Sequence, residues 1–158
     1  MKAYYIKTLR DFSRRLFLES FFDEYLLIKG RFVTAFTTEF EGSAPEENPS
    51  QPYIAWGQLK ALAFQLIKGN VAPRSFSLVL AYPPEKTRAL LSPEQRKGEP
   101  KELPLLLLNI RYREEKLLLS TGISEKSFNP HSQTAPLWDS QLLRILEELG
   151  LSDAIYEL

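Results

Sequence analysis

The chain has 158 residues, 44% of them hydrophobic, with 20 Lys+Arg against 20 Asp+Glu, one histidine and no cysteine. That length suits a single domain over 1–158, and 12% aromatic residues with balanced charge exclude a wholly disordered chain. Without thiols there is no disulfide framework, thiolate nucleophile, Cys-based zinc site or iron–sulfur cluster, and a lone imidazole, His131, excludes multi-histidine metal sites.

In chain order, Ala3 to Lys7 reads as a short strand. Thr8, with Asp11 three residues on, opens a helix over 8–20 in which Leu9, Phe12 and Leu16 recur at helical spacing. From Tyr25 to Glu41 the residues are β-branched and aromatic, and Phe32, Thr34, Phe36, Thr38 and Phe40 alternate with their neighbours. This predicts a strand pair with a turn or bulge at Lys29-Gly30-Arg31. Gly42 to Pro52, rich in proline, glycine and charge, is expected to be a flexible loop.

A helix follows over 54–68, with Trp56, Leu59, Leu62, Ala63, Leu66 and Ile67 as its apolar stripe and Gly69 after it. Phe76 to Tyr82 alternates as a strand, stopped by Pro83-Pro84, and a short helix covers 84–91. Ser92 to Pro104 is a second flexible loop. Leu105 to Tyr112 and Lys116 to Thr121 form the clearest hairpin, and the last helix covers 136–149, with Trp138, Leu142, Ile145 and Leu149 on one face and Gly150 beyond it.

The halves 1–70 and 75–150 share an order of strand, helix, strand pair and tryptophan-bearing helix. With Trp56 set on Trp138, Tyr25-Leu26-Leu27-Ile28 falls on Leu107-Leu108-Asn109-Ile110 without a gap. The alignment suggests an internal repeat, a βαββα unit duplicated about a pseudo-twofold axis; the alternative is two amphipathic helices that share a tryptophan by chance. The expected fold class is α+β, one largely antiparallel sheet of five to seven strands with helices packed against it.

No motif for dinucleotide binding, phosphate cradling, EF-hand calcium or zinc hydrolysis is present, so neither cofactor nor metal is expected. The strongest polar cluster is Arg111, Arg113 and Lys116. Two arginines two residues apart on a strand share a side, where they can grip a phosphate or carboxylate. Lys29 and Arg31 hold the equivalent positions in the first half, and Arg10, Arg14 and Arg15 are candidates to extend the basic face. The alternative is a solvated hairpin end that pairs with Glu114 and Glu115. Phe21-Phe22, Phe32, Phe36 and Phe40 are either core residues or a stacking platform, with one of the Phe21-Phe22 pair a candidate partner contact. A triad of Ser124, His131 and Asp139 is the nearest nucleophilic arrangement on offer, and Gly122-Ile123-Ser124-Glu125-Lys126 lacks the second glycine of a nucleophile elbow.

The run LNIRYREEKLLLSTG over 108–122, the Met1-Lys2-Ala3-Tyr4 start and the helix ending at Gly69 resemble a family of small uncharacterised bacterial proteins known only as a domain of unknown function. The resemblance covers nearly the whole chain and implies a bacterial, cytoplasmic protein, with no functional residue to transfer. Separately, the strand–helix–hairpin order of each half resembles the half-domains of DNA sliding clamps at the level of fold.

The scarcity of catalytic groups favours a non-catalytic binding or assembly module, a homo-oligomer or one with a protein partner. A nucleic-acid or phosphate-ligand binder using Arg111, Arg113, Lys116, Lys29 and Arg31 is the second reading, and a Ser/His hydrolase the third. The N-terminus lacks a secretory signal and no apolar run spans a bilayer, so the expected location is the cytoplasm, with no membrane partner.

Overall fold

A computed structural model describes residues 2–43, 53–69, 72–91, 103–125, 132–152 and 155–157. The elements in chain order are β1 (Ala3–Ile6), α1 (Leu9–Phe17), β2 (Leu26–Val33), β3 (Thr37–Glu41), α2 (Trp56–Ile67), β4 (Ser75–Ala81), α3 (Pro84–Leu90), β5 (Leu105–Arg113), β6 (Lys116–Ser124), α4 (Thr134–Glu148) and β7 (Ile155–Glu157). Seven strands form one sheet in the order β3-β2-β4-β5-β6-β1-β7, every pairing antiparallel. The fold is therefore α+β, with helices against an antiparallel sheet. No described helix is long and apolar enough to cross a membrane.

Alternation carries from strand to strand in register. Phe32, Phe76, Tyr112, Leu117 and Ile6 form one cross-strand row, and Leu78, Ile110, Leu119 and Tyr4 another, all buried on the same face. On that face Phe32 stacks on Phe76 at 5.6 Å and Phe76 on Tyr112 at 5.4 Å, an aromatic ladder across three adjacent strands. Phe12, Leu16 and Phe17 of α1, Trp56 and Ala63 of α2, and Trp138, Leu142, Ile145 and Leu146 of α4 join the same cluster. These three helices therefore cover one face.

Both tryptophans are fully buried, and each indole donates to a distant carbonyl at 2.8 Å, Trp56 to Leu16 and Trp138 to Leu107. The first bond ties α2 to α1 and the second ties α4 to β5. Lys60 adds to the first tie, donating to the Glu19 carbonyl at 2.8 Å and pairing with Asp23.

Several boundaries differ from the sequence expectation. The turn between β2 and β3 is Thr34 to Phe36, closed by the Thr34 N–H on the Phe36 carbonyl, while Lys29-Gly30-Arg31 runs through the interior of β2. The irregularity sits just before it, where the register with β4 shifts between Leu27 and Lys29. Glycine at position 30 is instead explained by packing, since a Cβ there would approach Leu78 to 2.8 Å. Thr8 precedes α1 but makes no side-chain cap, and its buried hydroxyl has no partner among the described residues. Helix α4 starts at Thr134, so Pro136 falls inside its first turn, where the missing N–H costs nothing.

The strand–helix–strand–strand–helix order does occur twice. The pairing is not equivalent: β4 pairs with β5, whereas β1 pairs with β6 and β7 and not with β2. The two indoles also bond different kinds of element. Of the loops expected at 42–52 and 92–104, residues 44–52 and 92–102 lie outside the described residues.

Removing one indole N–H tests the helix ties. Trp56→Phe leaves the Leu16 carbonyl without that bond and opens space beside Phe17, whose ring lies 5.8 Å away. Urea unfolding should show a loss of about 2–3 kcal/mol.

A second test uses Tyr25. Burial, reinforced by Tyr82 and Glu148, pushes its hydroxyl well above the ordinary tyrosine value. Above about pH 10 the unfolded chain ionises this group while the folded one does not, so its contribution is complete below that pH and lost as pH rises. Tyr25→Phe should flatten the fall in stability above about pH 10, measured by urea unfolding against pH.

Candidate binding face

The opposite face of the sheet has a different chemistry. Its central row runs Glu39, Arg31, Ser77, Arg111, Leu118 and Tyr5 across β3, β2, β4, β5, β6 and β1. The row beside it runs Glu41, Lys29, Val79, Asn109, Ser120 and Ala3, and on the other side Val33, Ser75, Arg113 and Lys116 follow one another. Lys29, Arg31, Arg111, Arg113 and Lys116 are all exposed, whereas Ser77, Val79, Asn109, Leu118, Ser120 and Tyr5 are half-buried.

All five residues singled out from the sequence thus share one sheet face, on consecutive rows. Parity explains it. β2 and β5 both pair antiparallel with β4, so they run the same way, and Arg31 and Arg111 each oppose Ser77 from its two sides. Two strand spacings put their Cα atoms about 10 Å apart, within reach of one ligand for side chains this long. Ser77 and Asn109 were not visible as site candidates, because their relevance depends on strands far apart in sequence lying side by side.

Charge on this face is unevenly neutralised. Arg31 pairs with Glu39 at 3.5 Å and Arg113 with Glu114 at 4.0 Å, both through exposed side chains, so each pair is weak. Arg111 has no ion-pair partner among the described residues, and neither do Lys29 and Lys116. A shallow cavity of about 260 Å³ opens between β3, β2 and β4, bordered by Lys29, Arg31, Glu39, Glu41, Ser77 and Val79.

Other candidates fall elsewhere. Arg14 and Arg15 lie on α1, over the opposite face, where Arg15 pairs with Glu19 at 3.1 Å, so α1 does not extend the basic face. Phe22 is completely buried, and Phe21, its ring 4.9 Å from that of Phe22, packs against the core and is half-buried. Phe32 is likewise core, and of the aromatics expected as a platform only Phe36, in the β2–β3 turn, is largely exposed. The carboxylate of Asp139 accepts the Thr121 hydroxyl at 2.5 Å beside a pocket of about 170 Å³, Ser124 is exposed at the end of β6, and His131 lies outside the described residues. Among the described residues no group of three or more His, Asp or Glu side chains is placed to hold a metal ion.

The hairpin tip beside Arg113 and Lys116 is strained. Glu114 and Glu115 adopt φ of 52° and 63°, the left-handed region that suits asparagine and glycine and disfavours glutamate. Replacing the pair by Asn-Gly should raise stability by about 1–2 kcal/mol, read from thermal unfolding.

No curated protein and no solved structure matches the chain. A model of the family described as "Family of unknown function (DUF5721)" matches residues 15–152. With most of its length covered, the chain belongs to that family of unknown function.

Proposed function

We propose that the protein is a non-catalytic binding module and that the open face of its sheet takes a phosphate-bearing ligand. One observation carries this reading: five cations from three strands, distant in sequence, stand on one sheet face, with Arg111 left without a carboxylate among the described residues. In a chain of zero formal charge such a concentration is local, since cations and carboxylates balance over the whole. Guanidinium groups suit phosphate because their fork of N–H donors matches two phosphate oxygens at once.

The surroundings supply the rest of a binding surface. Ser77 lies between the two arginines of the central row, and Asn109 and Ser120 add polar groups one row away. These groups sit on strands whose other face is locked in the core, so a ligand meets an ordered surface and little ordering entropy is lost on binding.

Retention on phosphocellulose tests the reading. The wild-type protein should bind at low salt and elute as salt rises, and Arg111→Ala/Arg113→Ala should elute at clearly lower salt with unchanged thermal stability. Identical elution of the two proteins would remove the face from consideration.

A further inference from the structure

The arrangement of the cations narrows the ligand class, a step that rests on the binding face proposed above. We infer that the ligand is a single-stranded nucleic acid laid across the strands from β2 to β1. The cations do not converge on one point: Arg31 and Arg111 stand about 10 Å apart across the sheet, and Arg113 lies about 7 Å further along β5. A single phosphate engages two of them at most. A repeating polyanion crossing the face engages all five.

The gaps between the cations fit the rest of a nucleotide. Ser77, Asn109 and Ser120 offer donors and acceptors for sugars and base edges, while Val79, Leu118 and Tyr5 offer apolar and aromatic surface. Tyr5 shares a row with Arg31 and Arg111, and that row, four strand spacings from β2 to β1, is about 19 Å long, enough for several nucleotides.

Alternative phosphate ligands use less of this surface. A compact polyphosphate settling into the cavity between β2 and β3 meets only two of the five cations, Lys29 and Arg31, beside the carboxylates of Glu39 and Glu41 that any ligand there encounters. A duplex keeps its bases paired inside, so Tyr5, Leu118 and Val79 gain nothing from it. An open sheet face also lacks the enclosure that small ligands need.

Fluorescence anisotropy with a labelled twelve-nucleotide oligothymidylate tests the inference, with a duplex of the same length and inorganic polyphosphate as competitors. Single-strand binding should weaken with salt at a log–log slope of about −3.5 for five phosphate contacts. Arg111→Ala should reduce that slope by about 0.7 and the affinity several-fold. Tyr5→Leu should weaken oligonucleotide binding about tenfold while leaving polyphosphate binding unchanged, and Tyr5→Phe should restore it. Asn109→Ala, at a half-buried position on the same face, gives a second readout that leaves Tyr5 in place and should weaken the oligonucleotide alone.

Polyphosphate or duplex binding more tightly than the single strand, with Tyr5→Leu and Asn109→Ala both silent, would overturn the single-strand assignment and leave the phosphate-binding face standing. Loss of salt-dependent retention differences between wild type and Arg111→Ala/Arg113→Ala would remove the face itself.

Discussion

The register of the sheet is the constraint on which everything else depends. From β2 through β4, β5 and β6 to β1, each strand pairs antiparallel with the next, and buried residues meet buried residues in the two central core rows. A slip of one residue in any strand would turn its apolar side chains to solvent and its cations into the core. The cost of burying Arg31 or Arg111 unpaired, set against the loss of burial for Phe32 or Ile110, fixes the pairing. The same force that builds the core thus displays the basic residues together on the other side.

Covering a broad sheet on one face with three helices requires that their positions be fixed as well. Apolar contact alone is non-directional. The two indole N–H groups supply direction, because each has a single acceptor, buried for Trp56 and part-buried for Trp138, where an unmade bond is costly. Lys60, bonded to the end of α1 and paired with Asp23, adds a polar lock at the surface of the α1–α2 contact. Helix placement therefore rests on few specific bonds within a large apolar contact, and the part of the second face that carries Arg31 and Arg111 stays exposed while Leu26 and Ala81 at its far end are buried.

The strained β5–β6 turn fits the same division of labour. Arg113 and Lys116 are opposed across a two-residue connection, and the hairpin keeps that tight loop although glutamates occupy both left-handed positions. Strand pairing, summed over nine residue pairs, outweighs the local penalty at the tip. Its effect is to hold two cations side by side at the end of the face.

Much of the architecture was legible in the order of residues. Alternation and composition marked six of the seven strands but not β7, apolar stripes marked α1, α2 and α4, and Arg111 and Arg113 were assigned to one side of a strand, because periodicities of two and of three to four are local properties of the chain. Local pattern could not place the β2–β3 turn, since Gly30 answers to Leu78 on a strand more than forty residues away, nor disclose that Phe22 is sealed in the core. It could not show that Thr8 fails to cap α1. The sequence by itself determined which residues share a strand or helix face. Only the tertiary structure decided that Arg31 and Arg111 flank Ser77 and that the two halves pair differently, because strand order in a sheet is set by long-range contacts that no local period encodes.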